Sequence, residues 1–281
     1  MAGTAMGGTR RNPWAPWLLV APGVLWLLAF YLLPTLALAR TSVGPEGVAW
    51  YDGYQRAFTD YGQHLLRSFW YAGLATVLAL LLGYPLAYVI AFRAGRAKNL
   101  LLGLVVLPFF TTFLVRTFAW KTILGDEGWL VGLLGTLHLL PSEGRLLSTT
   151  WAVIGGLTYN FLPFMILPIY VSLEKIDRRL TEAAQDLYCN ALEAFRKVVL
   201  PLSLPGVFAG SLLTFIPAAG DFINAELLGS PNQKMLGSVI QGQFLTVRDY
   251  PLAAALSFVL MTIITILVLI YTRLLGTEEL A

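Results

Sequence analysis

The sequence has little charge and almost no cysteine or histidine. Of its 281 residues, 12% are Asp, Glu, Lys or Arg, one is cysteine and two are histidine. The single cysteine, Cys189, excludes an internal disulfide framework, and two histidines far apart give no metal-ligand spacing. The sequence also lacks a GxxxxGK[ST] phosphate loop, so it has no ATP site of that kind. We therefore expect no catalytic residue, no metal site and no cofactor bound by this chain.

What the sequence has in excess is apolar side chain. Hydrophobic residues make up 57% of the chain and aromatic residues 13%. Soluble globular domains average roughly 45–50% apolar and about 25% charged residues. A soluble domain of this length has too small an interior to bury so much apolar surface. The composition predicts an integral membrane protein, and the net charge of +3 gives no indication of nucleic-acid binding.

Uncharged runs predict an all-α integral membrane protein with six transmembrane helices. A helix needs about 20 apolar residues to cross the bilayer, and strands of a barrel would alternate in polarity, which these runs do not. A further apolar run, Gly128–Leu140, is too short and is predicted to be interfacial or re-entrant. We expect an N-terminal tail over 1–16, one membrane domain over 17–275 and a C-terminal tail over 276–281. The six runs are Trp17–Ala39, Ser68–Phe92, Asn99–Val115, Ser148–Leu173, Val198–Gly220 and Pro251–Thr272.

Basic residues predict the orientation in the membrane. The short loop from Arg93 to Lys98 has three positive charges and no acid, which is typical of a cytoplasmic loop. With six spans, both termini are then cytoplasmic. An alternative is a cleaved signal peptide, because Arg10 and Arg11 precede an apolar run that ends in small residues. That run is about twice the usual length of a signal-peptide core, so we expect a first transmembrane helix.

The loop between the fourth and fifth spans breaks the membrane pattern. Residues 174–197 contain five acidic and five basic residues, so the segment is solvated. Leu180, Ala183, Ala184 and Leu187 nevertheless follow helical spacing and predict one apolar stripe. We expect Thr181 to cap this helix. Asn190 and Glu193 are predicted to begin a second helix through a capping box. The segment is either a docking surface for another protein or an ordinary charged loop helix.

Residues of this loop resemble the EAA signature of membrane permeases in ABC importers. The resemblance rests on Glu182-Ala183-Ala184, Leu187, Phe195, Val198, Leu200-Pro201 and Pro205-Gly206. It implies a coupling loop over 174–206 whose short helix inserts into a cytoplasmic ATPase. The residues that it implies for ATPase coupling are Glu182, Ala183, Ala184, Asp186 and Leu187. Tyr188 stands where the family usually has glycine. This departure from the family pattern falls in the turn after this helix.

A second set of residues resembles one branch of that family, the PotB-type permeases of spermidine/putrescine importers. The stretches are 215–222, 226–230, 235–237 and 243–252. The resemblance implies a type I ABC importer permease fold and transport of polyamines by alternating access. It also implies four kinds of partner: a second and different permease chain, a pair of ATPases that bind ATP and magnesium, an extracytoplasmic polyamine-binding protein, and the lipid bilayer.

The fifth span contains the residues that we expect along a translocation pathway. Pro217 and Gly220 are predicted to break its helix, and broken membrane helices commonly line a pathway. Carboxylates and aromatic faces complement a polycation. The predicted pathway residues are Asp221, Glu226, Phe215, Phe222, Tyr159 and Trp120. The alternative for Asp221 is a helix cap at the outer interface, paired with Arg116 or Arg248.

Two other functions remain open from the sequence. A permease of the same class could carry an oxyanion, a metal complex or a sugar, although the spans contain few fixed positive charges, which argues against an anion. An ion channel or scaffolding membrane protein would use the amphipathic loop as a general partner site. Neither spermidine nor putrescine is favoured over the other.

Overall fold

A computed structural model describes residues 15–44, 49–137, 145–186 and 188–275, and within these ranges the chain forms helices and loops. The α-helices are α1 (Ala15–Leu27), α2 (Leu33–Ser42), α3 (Asp52–Thr59), α4 (Gly62–Tyr88), α5 (Lys98–Val106), α6 (Phe113–Leu124), α7 (Trp129–Thr136), α8 (Thr150–Glu174), α9 (Arg178–Asp186), α10 (Ala191–Ala194), α11 (Leu200–Ala219), α12 (Ile223–Leu228), α13 (Leu236–Gly242) and α14 (Tyr250–Leu275). Short π-helical turns, such as Val89–Arg93 and Phe195–Val199, extend several of them. The predicted all-α class is confirmed.

Five helical segments of the described chain are long and apolar enough to cross a membrane. They are Trp17–Ser42, Gly62–Arg93, Thr150–Glu174, Ala191–Ala219 and Tyr250–Arg273. A sixth span is a pair of helical segments, Gly95–Phe110 and Phe113–Thr136, bent by 95°. The predicted count of six spans is met when this bent pair is one span.

The third span is not the straight helix over Asn99–Val115 that the sequence predicts. The helix ends in a 3₁₀ turn, Leu107–Phe110, that contains Pro108, and Thr111 is extended with ψ 144°. Thr112 then caps α6, because its side chain accepts a hydrogen bond from Val115 N at 3.4 Å. Proline removes a backbone donor and threonine supplies a new cap, so the chain starts a second helix in another direction.

The centre of the molecule is the contact between α4, α8 and α11. The faces of α4 and α11 in this contact are rich in small residues, which let helix backbones approach closely in a membrane. A β-carbon at Gly206 of α11 would lie 2.6 Å from the carbonyl oxygen of Pro168 on α8. The face of α4 in this contact consists of Ala72, Ala75, Ala79, Gly83 and Ala87, all buried.

Polar contacts tie the same helices together at several levels. The hydroxyls of Tyr84 on α4 and Ser203 on α11 share a hydrogen bond of 2.8 Å. At one end of the bundle, Lys98 forms an ion pair with Glu174, which joins the basic loop before α5 to the end of α8. The two loops predicted to be cytoplasmic therefore lie at the same end of the molecule.

The fifth span differs in one respect from its prediction. Helix α11 continues through Pro217 and ends at Ala219, with Gly220 as the residue that caps it. The expectation that Pro217 interrupts the helix is wrong, since neighbouring membrane helices tolerate proline when they pack closely around it. The break at Gly220 is confirmed, and Asp221 follows it directly.

Candidate functional site

The solvated segment between the fourth and fifth spans forms two short helices, α9 and α10. Helix α9 begins at Arg178, and Asp177 Oδ1 accepts a hydrogen bond from Arg179 N at 2.9 Å. The prediction that Thr181 caps this helix is wrong, because Asp177 supplies the acceptor one turn earlier and Thr181 lies inside the helix. An aspartate is an equally good N-terminal acceptor, and its position lengthens α9.

The predicted coupling residues lie on the exposed surface of α9. Glu182, Ala183 and Asp186 are exposed and Ala184 is half-buried, while Leu187 falls outside the described residues. Leu180, another member of the predicted apolar stripe, is 48% exposed. The chain's own described residues thus leave this apolar stripe largely uncovered, as a docking surface requires.

Helix α10 connects the segment to the membrane helices. Its predicted capping box is confirmed: Glu193 N donates to Asn190 Oδ1 at 2.9 Å, and Asn190 N donates to Glu193 Oε2 at 3.0 Å. The following residue of the π turn, Phe195, contacts the rings of Tyr84 and Tyr88 edge-on, both with centroids 5.8 Å away. The π turn after α10 is therefore packed against α4 through aromatic rings.

The turn between α9 and α10 has left-handed backbone geometry. Tyr188 has φ 63°, and Cys189 N donates to Ala184 O at 3.1 Å. A bond from residue i to residue i−5 with a left-handed residue before its donor is the Schellman ending of a helix, which glycine usually supplies. In this chain a tyrosine occupies the left-handed position of that ending.

At the opposite end of the bundle, Asp221 begins α12. Its side chain is 7% exposed, and Oδ2 accepts a hydrogen bond from Asn224 N at 2.8 Å. Asp221 lies beyond the end of α11, and burial raises the pKa of its carboxyl to about 6, although hydrogen bonds from Asn224 and its neighbours act in the opposite direction. None of the ion pairs between described residues includes Asp221. The capping role is thus shown, and the pathway role stays a prediction.

A buried polar chain links α12 to α6 and α8. Asn160 Nδ2 donates to Asn224 Oδ1 at 3.0 Å and to Thr117 Oγ1 at 3.2 Å. All three side chains are at most 1% exposed. Asn224 and Thr117 were not identified from the sequence. The local signal available for Asn224 was its position three residues after Asp221, which is the spacing between a capping aspartate and the backbone N–H that it accepts.

Arg116, one proposed partner of Asp221, forms no ion pair with it among the described residues. It is 9% exposed, with its guanidinium 5.6 Å from the ring centroid of Phe113 and 6.0 Å from that of Phe109. Its Nε and Nη1 have no hydrogen-bond partner among the described residues. Aromatic faces stabilise this buried cation in place of a carboxylate.

Two of the predicted aromatic pathway residues lie together. Trp120 of α6 and Tyr159 of α8 make an edge-to-face contact with centroids 5.4 Å apart. Tyr159 is 36% exposed and lines an open cavity of about 340 Å³ with residues of α4, α5 and α8, including Pro108 and Pro163. The pair therefore lies beside the bend of the third span.

The other predicted pathway residues do not join this pair. Phe215 stacks on Phe69 at 6.2 Å and lines a second cavity, of about 250 Å³, between α4, α11 and α14. Phe222, the residue before α12, is 38% exposed, and Glu226 on α12 is also exposed. The structure thus divides the six predicted residues among three places.

The position of α12 depends on a glycine of α8, which gives a first prediction. A β-carbon at Gly156 would lie 2.4 Å from Leu228 Cδ1 and 2.7 Å from Asn224 Oδ1. Because Asn224 is held by the polar chain, Gly156→Ala should displace α12 and lower the free energy of unfolding by about 1–3 kcal/mol. The purified protein should unfold at a temperature lower by about 3–8 °C in a thermal scan.

The neighbouring glycine provides the matched control. A β-carbon at Gly155, on the same helix, has no atom within 4 Å. Gly155→Ala should leave the unfolding temperature unchanged or raise it, since alanine is the better helix former by about 1 kcal/mol. Equal unfolding temperatures for the two variants would contradict the packing of α12 against α8.

Comparison with known proteins agrees with this architecture. Residues 79–276 match the family model described as binding-protein-dependent transport system inner membrane component. The spermidine/putrescine transport system permease protein PotB of Haemophilus influenzae is 40% identical over 256 residues, covering 88% of this chain and 90% of that protein. PotB of Escherichia coli K12 is 38% identical, with 88% and 93% covered. The inner membrane ABC transporter permease protein YdcU of E. coli is 32% identical over 75% of this chain and 71% of its own.

Solved structures show the same fold at low sequence identity. A chain of a bacterial ABC transporter that imports the acidic polysaccharide alginate superposes with a TM-score of 0.72 at 17% identity, covering 95% of this chain and 96% of that one. A second structure, of the alginate transporter with a pentasaccharide-bound periplasmic protein, gives 0.70 at 17% identity, covering 92% and 93%. These likenesses concern the fold.

The family match covers most of the chain, and the curated relatives match almost end to end. Those relatives are transport permeases, and the helices of this chain form the type I importer permease fold. The chain therefore belongs to the binding-protein-dependent transport system inner membrane components, as a multi-pass permease subunit of an ABC importer rather than an enzyme.

Proposed function

We propose that this permease carries spermidine and putrescine across the inner membrane by alternating access. The observation that carries the proposal is the 40% identity to a spermidine/putrescine permease over 88% of this chain and 90% of that one. Because the match spans most of both chains, most of the same spans are available to form the same pathway.

The proposed system has three further components. A second permease, different from this chain, completes the pathway; a polyamine-binding protein delivers the solute from outside; and two ATPase subunits bind ATP and magnesium in the cytoplasm. The exposed face of α9 docks on the ATPase through Glu182, Ala183, Ala184, Asp186 and Leu187. Both chain termini are then cytoplasmic, because the basic loop before α5 and the end of α8 share one end of the molecule.

The proposed pathway combines an aromatic and an acidic part. Trp120 and Tyr159 present ring faces and edges beside the bent third span, while Glu226 and Phe222 are exposed near the start of α12. Alkylammonium groups bind to ring faces, and carboxylates attract them at longer range. Asp221 and Phe215 belong to the same set, from positions that are more deeply packed.

Uptake into proteoliposomes tests the proposed function. The complete importer, reconstituted with its binding protein and internal ATP, should accumulate radiolabelled spermidine and putrescine. An excess of either unlabelled polyamine should abolish that uptake, and sulfate or an alginate oligosaccharide should not. ATP-dependent uptake of one of those other solutes, without uptake of either polyamine, would overturn the polyamine assignment.

Asp221 gives a second prediction. Asp221→Asn keeps an oxygen to accept the Asn224 N–H bond but removes the charge, so spermidine uptake at limiting concentration should fall roughly 10-fold, the effect of about 1.4 kcal/mol. Since the carboxyl ionises near pH 6, wild-type uptake should also fall as the outside pH drops below 6, and uptake by the variant should not follow it.

Asp249 is the matched control for this experiment. Its Oδ1 accepts a hydrogen bond from Leu252 N at 3.1 Å at the start of α14, so it is also a helix-capping aspartate. Asp249→Asn should leave spermidine uptake unchanged. If Asp221→Asn also transports at the wild-type rate with the wild-type pH profile, Asp221 is a structural cap and no part of the pathway.

A further inference from the structure

Tyr188 combines a backbone conformation that disfavours tyrosine with a completely exposed ring. Its φ is 63°, in the left-handed region, where a β-carbon crowds the following carbonyl oxygen. The side chain is 99% exposed, so contacts of the ring with the described residues do not offset this cost. Glycine would make the same Schellman turn without that crowding.

Such a residue persists where something outside the fold requires it. Residues in sparsely populated backbone regions cluster at functional positions, and the inference runs from the observed outlier to a functional role. The hydrogen bond from Cys189 N to Ala184 O holds the turn, so the Cα–Cβ bond of Tyr188 points away from the end of α9 in a fixed direction. An exposed, amphipathic tyrosine is the kind of side chain that dominates protein–protein contacts.

The surroundings of Tyr188 indicate which partner it meets. The ring directly follows α9, whose uncovered face includes Leu180 and Ala183, and it precedes α10, where Leu192 is 65% exposed. Lipid does not fit this place, because residues 174–197 carry five acidic and five basic residues. The surface is continuous with the helix that we propose to dock on the ATPase.

We propose that Tyr188 is an anchor for the ATPase subunit, seated in an apolar pocket beside the site that receives α9. The left-handed turn fixes the backbone that carries the ring before the partner arrives, which reduces the entropy lost on association. The cost of the turn is carried by the free permease and offset by burial of the ring in the complex. The anchor makes this permease selective for an ATPase with a matching pocket. This inference rests on the proposed ATPase coupling.

Substitutions that separate the backbone from the ring test the anchor. Tyr188→Gly and Tyr188→Asn both suit a left-handed residue and remove the ring, whereas Tyr188→Phe keeps it. Titration of the ATPase onto the permease pair in nanodiscs should give a dissociation constant roughly 10- to 100-fold weaker for the Gly and Asn variants, as for an aromatic anchor at an interface. The Phe variant should stay close to wild type. Without ATPase, the Gly variant should also unfold at a higher temperature than the wild type.

Arg248 supplies a control with the same backbone conformation. It has φ 62° and an exposed side chain, in the loop before α14 at the other end of the molecule. Arg248→Gly should raise the unfolding temperature in the same way and leave the affinity for the ATPase unchanged. A weaker affinity in this control would mean that relief of backbone strain, and not loss of the ring, changes the complex.

A cross-linking experiment identifies the partner directly. The photoreactive substitution Tyr188→p-benzoylphenylalanine should give an adduct with the ATPase subunit in the assembled importer. Adducts only with the second permease or with lipid would overturn the proposal, as would wild-type ATPase affinity for both Tyr188→Gly and Tyr188→Asn. If instead the wild-type permease pair binds no ATPase at all, the coupling part of the proposed function fails before the anchor is reached.

Discussion

Ala183→Trp should abolish ATP-driven uptake, with a loss of more than roughly 100-fold, because it places a large ring on the face of α9 that we propose to dock on the ATPase. Ala183 is exposed, so the indole does not disturb the interior of the permease. At a close-packed interface a side chain of this size prevents the backbones from approaching, and like other overpacking it costs several times RT. Co-purification of the ATPase with the affinity-tagged permease pair should be lost together with uptake.

The same substitution on the neighbouring loop is the control. Ala97 is exposed and lies beside Lys98, whose ion pair with Glu174 places it at the same end of the molecule as α9. Ala97→Trp should retain the ATPase and most of the uptake. Deletion of residues 182–187 should reproduce the loss seen with Ala183→Trp. A permease that lacks these residues and still binds stoichiometric ATPase would refute the docking role of α9.

A continuous set of contacts connects the proposed docking segment with the membrane helices. Helix α10 continues through the π turn into α11, and Phe195 of that turn lies against Tyr84 and Tyr88 of α4. Tyr84 is in turn hydrogen-bonded to Ser203 of α11. Packed side chains have discrete arrangements and do not deform continuously, so we expect a shift of α9 to move α4 and α11 together.

Features of the fold that depend on residues close in sequence could be predicted. The direction in which a helix runs could not. The capping box at Asn190 and Glu193 depends on residues three positions apart, so the sequence contains all of it. Thr181 failed as a cap because Asp177 offers an equal acceptor one turn earlier, and spacing alone does not choose between two good acceptors. The 95° bend of the third span was missed because hydropathy measures how apolar a run is and not which way it points.

The site depends more than the fold on contacts between distant residues. Asn160 and Asn224 meet only because Gly156 lets α12 approach α8, and no local pattern predicts that approach. Trp120 and Tyr159 were predicted from their chemistry, whereas their edge-to-face contact is a property of the fold. Phe215 was predicted on the same grounds and lies against Phe69 of α4. Residue type therefore suggests which residues line a pathway, and tertiary packing determines which of them lie together.

The aromatic pair gives the prediction that bears most directly on the solute. The double substitution Trp120→Ala and Tyr159→Ala should lower the kcat/KM of spermidine uptake roughly 30-fold, from the loss of two cation–π contacts worth about 1 kcal/mol each. Putrescine has fewer ammonium groups to meet the rings, so its uptake should fall less. The variant with Phe at both positions keeps the ring faces and should recover most of the uptake of both polyamines.

Two further measurements distinguish a pathway role from a packing role. Trp120 also contacts the buried core, so a loss of stability would lower uptake of both polyamines equally and release the ATPase. We expect instead that the alanine variant retains its ATPase and its unfolding temperature within a few degrees. The control removes two exposed tryptophans elsewhere on α4 and α8, Trp70→Ala with Trp151→Ala, which are 66% and 69% exposed. If this control loses spermidine uptake as severely as the Trp120 and Tyr159 variant, the aromatic pair has no special place on the route of the cation.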